Sequence, residues 1–595
     1  MMHSIRQPGW WLPYLSRTIT LLGVLVLIGM LPWLSGHDPA WALLRARSSE
    51  QEATAEALAA IRSSLGLDQG PMVLFWHWLT GLLQGDAGVS WVSGRPVLPG
   101  MLRAMGVSLT LMLLSLCVAV IVAIALCVPT LWRGMHGRGR LSSGGAAAAL
   151  TALPEFLLAA LLLMVFAVWL PLCPPFGWAG WHYAILPALA MGIPAGGVLG
   201  RLGSDALAST FSEHWLITWQ VAGVRRAQQL QAVIRRALPV FMPQLGLVMI
   251  GLTGGAIAVE KVFAIPGLGR ATLGAVAAQD MPEVQTGMLL LLSMAIVIGV
   301  MAGGVRKLCL GRALHHHALP SVTAVARPIK GARLLCWLMV LLLVGMVVSG
   351  IGRDPYAAEF MRLQPPSLAL PFGADATGRD MLARLAHGTF KTGALALLVV
   401  LGCLVIGVLA SLMPRLFAGP IDVTNALPST LAGLAIAAVC GPSESGAVIA
   451  VMAVSWAPLA AHALSLRHEL SAQPYIAMLP ILGVGRWRQI THHLLPVMLA
   501  PLFRHTMLRF PGTALALAAL GFLGLGPQPP APEWGLLLSD NLPYLERAPW
   551  GVLFPLLALV VLAILAVTAG STYGTRSPSS LTGTRCEQCD EEALS

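Results

Sequence analysis

The sequence predicts an all-α polytopic membrane protein, with about twelve transmembrane helices arranged as two parallel six-helix repeats. Three observations carry this. Of 595 residues, 56% are hydrophobic and 11% charged, against about 45–50% and about 25% in a soluble globular chain. The apolar residues gather into runs of about 20, the length that crosses a bilayer. Three landmarks recur along the chain at nearly one offset. The mean hydropathy of +0.76 agrees. Such a composition excludes an ordinary soluble enzyme, a disordered chain and a collagen-like one.

Twelve spans are expected in chain order, at about 18–35, 106–130, 145–170, 182–200, 243–259, 285–304, 332–351, 392–414, 424–441, 445–465, 497–520 and 550–570. The fourth, fifth and ninth are short or interrupted by proline. The first reads as a retained span rather than a cleaved signal, because its apolar core is long and no small-residue cleavage site follows it. The spans are nearly charge-free, with charges at loop edges. That leaves little with which to couple an ion gradient.

The loops set the orientation. Segment 131–140 holds Arg133, Arg138 and Arg140 and no acid. Segment 201–242 holds Arg201, Arg225, Arg226, Arg235 and Arg236 against Asp205 and Glu213. Segment 304–333 holds Arg306, Lys307, Arg312, Arg327, Lys330 and Arg333 and no acid. Short basic loops belong to the cytoplasm, which puts both termini inside. The net charge of +11 therefore reads as topology; a nucleic-acid binder would gather its charge on a polar face. Nine cysteines are scattered and form no disulfide framework.

The repeat rests on paired landmarks. Gly223 and Leu238-Pro239 in the loop before the fifth span match Gly483 and Leu495-Pro496, with offsets of 260 and 257 residues. Phe263-Ala-Ile-Pro-Gly-Leu-Gly-Arg270 matches Phe522-Leu-Gly-Leu-Gly-Pro527, offset by 259. Six spans per half make a parallel repeat about an axis along the membrane normal, and the pathway is expected along that axis. The domains are thus a first half over 1–303 with an extracytoplasmic segment over 36–104, a basic linker over 304–332, a second half over 333–570 and a polar tail over 571–595. Segment 36–104 carries a helical stretch near Glu50–Leu65 and the aromatics Phe75, Trp76, Trp78 and Trp91. It is expected to cap the pathway.

The loops also resemble a known family. Tyr475-Ile-Ala-Met-Leu-Pro-Ile-Leu-Gly483 through His492-His-Leu-Leu-Pro496, and Trp215-Leu-Ile-Thr-Trp-Gln-Val-Ala-Gly223 through Arg235-Arg-Ala-Leu-Pro239, are similar to the ATPase-docking loop of binding-protein-dependent ABC importer permeases. Gly36-His-Asp-Pro39, Leu65-Gly-Leu-Asp68, Gly85-Asp86, Ser93-Gly-Arg-Pro96 and Val262–Arg270 resemble one subunit of the dipeptide/oligopeptide/nickel permeases. Pro371-Phe-Gly-Ala-Asp-Ala-Thr-Gly-Arg-Asp380, Phe522–Pro530 and Trp534-Gly535 resemble its partner subunit. Over roughly residues 10–570 the chain looks like both subunits fused head to tail.

The resemblance implies a type I ABC importer permease fold in the bacterial inner membrane. It also implies two ABC ATPase domains, a periplasmic binding protein and a small solute: a short peptide, nickel or an opine-type metallophore–metal complex. It implies no nucleic acid and no cofactor of its own, ATP being used by the partner subunits. The docking residues it implies are Thr218, Trp219, Gln220, Gly223 and Pro239 in the first loop and Ala477, Leu479, Gly483 and Pro496 in the second. Its motif residues are Asp38, Pro39, Pro266, Gly267, Gly269 and Arg270, then Asp375 (after Ala374), Gly378, Arg379, Asp380, Gly524 and Gly526. The chain departs from the pattern at Ala477, where an acid is usual, at Pro480, at Trp219-Gln220 and at Leu517, where Glu is common.

Each docking glycine is expected to end a short helix by taking φ > 0. Pro480 is expected to kink the second docking helix or to mark its start. His315-His316-His317 reads as solvated linker, and Cys586-Glu-Gln-Cys589 as one pair on a polar tail, so neither is taken as a metal site. The chain has no Gly-x-x-x-x-Gly-Lys-Ser/Thr phosphate loop, no zinc-protease motif and no nucleophile elbow. The energy source must lie on another subunit. The competing reading is a self-contained secondary transporter built from parallel repeats.

Overall fold

The computed structural model describes residues 12–34, 54–65, 67–136, 144–152, 154–310, 331–425 and 429–573. Asp38, Pro39, the His315–His317 run and Cys586–Cys589 lie outside the described residues. Among those described, the regular elements are helices, joined by loops with two isolated bridges, Val89 to Pro96 and Ala374 to Asp380. In the first half they are α1 (Leu12–Gly29), α2 (Ala55–Ser64), α3 (Pro71–Leu83), α4 (Val97–Met135), α5 (Gly144–Ala152), α6 (Glu155–Leu162), α7 (His182–Phe211), α8 (His214–Val221), α9 (Arg226–Val262), α10 (Leu268–Ala277) and α11 (Met281–Leu310). In the second half they are α12 (Ala332–Gly350), α13 (Met381–Leu412), α14 (Pro414–Asn425), α15 (Ser429–Cys440), α16 (Glu444–Ser471), α17 (Pro474–Met478), α18 (Leu495–Leu523), α19 (Trp534–Asn541) and α20 (Pro549–Tyr573).

Eight helices among the described residues are long and apolar enough to cross a membrane, and they fall on eight of the twelve expected spans. The ninth expected span is a pair, Gly419–Asn425 and Ser429–Cys440, bent by 97°. Shorter apolar helices, Leu15–Gly29, Glu155–Trp169 and Pro549–Leu565, fall on the first, third and twelfth. The third span is also divided, between α5 and α6, and α6 continues as a π-helical stretch to Trp169. Both breaks follow an Ala-Leu-Pro, at Ala152–Pro154 and Ala426–Pro428. Proline removes the amide that would continue the ladder and disfavours helix in the residue before it. The fourth span, by contrast, runs unbroken through Pro187 and Pro194.

Packing within a half relies on small residues, as expected where lipid competes for every apolar side chain. Gly192, Gly196 and Gly200 form one stripe on α7 against α4. A Cβ on Gly192 would stand 2.7 Å from the Ser115 carbonyl oxygen, and one on Gly196 2.7 Å from that of Ala119. The halves also interlock. Helix α1 leaves the first half and lies on α14, where Arg17 Nε and Nη2 donate to Asp422 Oδ2 at 2.9 and 2.6 Å and Ser16 Oγ accepts from the Gly419 amide at 3.2 Å. Helix α20 of the second half packs on α5 and α6 of the first.

Segment 36–104 holds, besides α2 in the expected helical stretch, a second helix, α3, whose Phe75 and Trp78 rest on Gly29 at the end of α1. One expectation needs correction. The charges are not confined to loop edges: Glu155 begins α6, and α18 carries Arg504, His505 and Arg509 well inside the expected span 497–520.

Candidate functional site

The first loop folds because its two ends are held while its middle is left bare. Helix α8 starts after Glu213, whose Oε2 accepts from Trp215 Nε1 at 2.6 Å and pairs with Arg236 Nε of α9 at 3.3 Å. Leu216, 2% exposed, packs with Ala206 and Leu207 of α7 and Val233 and Ala237 of α9. The helix ends at Gly223, φ 74°, with two reversed bonds: Val224 N to Trp219 O at 3.1 Å and Gly223 N to Gln220 O at 3.2 Å. This is the six-to-one and five-to-two closure of a glycine-terminated helix. Thr218 Oγ1 donates to the His214 carbonyl at 3.3 Å. The outer face shows Ile217, Trp219 and Val221, the last 85% exposed, with Trp219 edge-on to Trp215 at 5.3 Å.

The second loop closes in the same way. Val484 N donates to Leu479 O at 3.0 Å and Gly483 N to Pro480 O at 3.1 Å, with Gly483 at φ 75°. Leu479 and Ile476 are buried inward, while Tyr475, Met478, Ile481, Leu482 and Trp487 are exposed, Ile481 at 83%. The backbone of Ala477 lies in α17. Pro239 lies inside α9, and Pro496 lies inside the matching helix, which starts at Arg486 and passes through a π-helical stretch over Gln489–Leu494 into α18. Pro480 neither kinks the docking helix nor starts it. Lacking an N–H, it ends α17 at Met478, and the Ile476 carbonyl accepts instead from Leu479 N at 3.2 Å.

Sequence reasoning missed one matched pair. Gln229 Nε2 donates to the Val224 carbonyl at 2.8 Å and Gln489 Nε2 to the Val484 carbonyl at 2.6 Å. Each glutamine bolts the turn to the helix that follows. The available signal was the spacing: both lie five residues after the valine and share the 260-residue offset of the glycines.

The family-motif residues gather at the other ends of the fifth spans. In the first half, Glu260 accepts from Ser108 Oγ at 2.5 Å and from Arg270 N at 2.9 Å. Gly267 is required there, because a Cβ would fall 2.2 Å from the Glu260 carboxyl carbon. Arg270 Nη1 donates to the Ala264 carbonyl at 2.5 Å, and Pro266, Gly269 and Arg270 complete the turn into α10. In the second half the carboxylate comes from the loop. Glu533 caps α19, accepting from Gly535 N at 3.0 Å and Leu536 N at 2.8 Å, while Leu517 on α18 is buried. Burial pushes the Glu533 carboxyl up to about 7, against those two amides, which favour the anion.

Asp375 accepts from Arg379 Nε at 2.9 Å, Arg384 Nη1 at 2.5 Å and Thr377 Oγ1 at 2.7 Å. Burial alone would raise its carboxyl, but the Arg379 and Thr377 donors with the Arg384 charge outweigh it and hold the group below the usual carboxylate range. Asp380 caps α13 through Leu382 N at 2.8 Å and pairs with Arg353 Nη1 at 2.8 Å. Gly378, φ 85°, passes so close to Phe360 O that a Cβ would lie 2.3 Å away. Arg384 Nη2 reaches the Pro530 and Ala531 carbonyls at 3.3 and 3.2 Å, joining this motif to the loop beyond Gly524 and Gly526.

The two halves meet at the same level. Lys261 Nζ at the end of α9 donates to the Phe522 carbonyl of α18 and to Ser539 Oγ of α19 at 3.1 Å, and it stands 5.1 Å over the Phe522 ring. Phe156 of α6 also stacks on Phe522, their ring centroids 5.5 Å apart. The first docking loop and this seam are thus at opposite ends of α9, 37 residues long, or roughly 55 Å at 1.5 Å per residue. They are joined by one continuous helix rather than by a shared surface.

Comparison with known proteins bears on this arrangement. The pattern of the family described as "Binding-protein-dependent transport system inner membrane component" matches residues 113–312 and again 399–571. The chain is 34% identical over 284 residues to the glutathione transport system permease protein GsiC of Salmonella typhimurium, covering 46% of this chain and 90% of that protein. It is 35% identical over 275 residues to the same-named protein of Pectobacterium atrosepticum, covering 46% and 87%. It is 36% identical over 211 residues to the dipeptide transport system permease protein DppC of Alkalihalophilus pseudofirmus, covering 34% and 69%.

Proposed function

We propose that this chain, which belongs to the family of binding-protein-dependent transport system inner membrane components, forms both transmembrane halves of an ABC importer for a small peptide-like solute. It is a multi-pass permease of the inner membrane, a transport component and not an enzyme. One ATPase domain docks on each of the two loops, and an extracytoplasmic binding protein delivers the solute to the face that carries the Lys261 seam. Both termini lie in the cytoplasm in this reading, which the basic loops support. Glutathione- or dipeptide-like solutes are favoured over nickel or a metallophore complex by what the similar permeases are named for.

The observation that carries the reading is the matched closure of the two loops. Each ends in a glycine at φ near 75° with the same pair of reversed hydrogen bonds. Each is fixed by a glutamine and leaves large apolar side chains bare. Bare apolar rows beside arginines mark a protein contact. Movement of an ATPase under α8 or α17 would be carried along α9 or α18 to the seam. There, separating Lys261 from Phe522 and Ser539 opens the pathway.

The test is site-specific cross-linking from Ile217 and Ile481 in membranes holding the assembled transporter. Both positions should capture an ATPase subunit, giving two per chain. Capture from neither, with the ATPase present and active, would overturn the assignment.

A further inference from the structure

The inside of the second half is basic without a counter-charge. On α18, His505, Thr506 and Arg509 occupy one stretch of surface, because residues three and four apart on a helix are neighbours. The His505 ring stacks on His462 of α16 at 4.3 Å, so the cluster bridges two helices. Arg509 lies within electrostatic reach of Cys403 on α13 and of His505. Helices α13 and α18 contain no Asp or Glu, and α16 has only Glu444 and Glu469, at its two ends. Among the described residues, no ion pair involves Arg509.

Two donors in the cluster have nothing to donate to. Thr506 is 1% exposed and its Oγ1 is buried without a hydrogen-bond partner among the described residues. The Nη1 of Arg509 is in the same condition. A buried guanidinium and hydroxyl left unpaired are costly, and an ionised side chain within a membrane is retained for a ligand or a pathway. The cluster is not sealed. His505 and His462 are only half-buried, and Gly512, about one turn beyond Arg509, is exposed with open space where a Cβ would stand. Helix α18 also packs on α9 and α15, the helices along the seam between the halves.

We infer that Arg509, Thr506 and His505, with His462 behind them, form a binding site for a carboxylate of the transported solute. A carboxylate is planar and accepts in its own plane, which suits a guanidinium fork joined by one hydroxyl and an imidazole. The inference rests on the peptide-importer reading, since every free peptide ends in a carboxylate. It names what the pathway would select: an acid-bearing solute over its amide.

The experiment has two arms. Cells expressing the whole transporter are given labelled glutathione or Ala-Ala and the corresponding C-terminal amides. Arg509→Gln is expected to lower acid uptake by roughly 10-fold or more while leaving amide uptake unchanged, from the usual strength of a hydrogen bond to a charged group. Arg509→Lys should retain part of the preference, and Thr506→Val should lower it less. Equal loss for acid and amide, or no change for either, would overturn the site. In the second arm, thermal unfolding of the purified full chain is followed with sodium acetate, chloride or phosphate. Acetate alone should raise the midpoint, and not in Arg509→Gln. Equal shifts with all three anions, or none with acetate, would refute carboxylate recognition. Acetate stabilisation without uptake of either peptide would instead refute the peptide reading and leave the site standing.

Discussion

Replacing Gly223 tests the docking loops through backbone geometry alone. The residue holds φ 74°, and nothing lies within 4 Å of an added Cβ, so a substitution meets no steric neighbour. The whole penalty is conformational. An L-residue in the left-handed region costs about 1–2 kcal/mol, more with a β-branch. If valine refuses the angle, that strain is relieved, but the bonds from Val224 to Trp219 and from position 223 to Gln220 are lost instead, about 1 kcal/mol each. Either way the cost is about 2 kcal/mol against the closed loop, or roughly one to two orders of magnitude in its population. Asparagine tolerates this region, and alanine falls between. Pull-down of the ATPase subunits and uptake in cells should therefore fall in the order Gly, Asn, Ala, Val, with membrane insertion equal throughout because the loop lies outside the spans. Gly483, at φ 75° with an equally open Cβ position, should give the same order. Equal docking for all four residues at both positions would refute the reasoning.

Three further outcomes follow from the same contacts. Trp219→Ala removes a large exposed anchor from a full two-turn helix, so it should weaken ATPase pull-down more than Ala477→Glu does; the reverse order would contradict the role given to α8. Lys261→Met deletes two donated bonds at the seam and keeps the aliphatic contact with Phe522, and about 1–2 kcal/mol net of desolvation should raise solute-independent ATP hydrolysis of the assembled transporter about 5- to 30-fold. An unchanged basal rate would mean that the contact does not hold the gate. Glu533, raised from 4.5 to about 7, makes its proton-dependent contribution to stability fully below pH 4.5 and loses it as pH rises through 7. The unfolding midpoint should therefore drop between pH 5 and pH 8 by less in Glu533→Gln than in the unsubstituted chain, and an identical drop in both would exclude this carboxyl as a cause.

The fold was legible wherever one periodic signal decided it. Long apolar runs located the spans, and the glycine and Phe-x-x-x-Gly offsets revealed the repeat. The break in the first half's third span was not legible, because the proline at 154 falls within a continuous apolar run, whereas the ninth span was already marked as short or interrupted by proline. The docking glycines were found from their expected φ, but Pro480 was misjudged, because a proline near the end of a short helix shortens it rather than bending it. The contacts that join distant parts of the chain left no local trace. Lys261 meets Phe522 at 261 residues' separation, and Arg17 meets Asp422 at 405. Glu533 was overlooked beside the quoted Trp534-Gly535, since its role appears only once α19 is seen to begin there. Arg509 was not singled out, because one charge inside a long apolar run leaves the hydropathy signal intact, and His505 and Cys403 come near it only once the helices pack.

The central claim is that this chain moves solute only with energy from docked ATPases. The direct measurement is uptake into liposomes holding the purified full chain, first alone under proton and sodium gradients, then with ATPase subunits, binding protein and ATP. Uptake should be absent in the first case and present in the second, and it should disappear when Gly223 and Gly483 are both replaced by valine. Gradient-driven uptake by the chain alone, or ATP-driven uptake that survives both valines, would contradict the account.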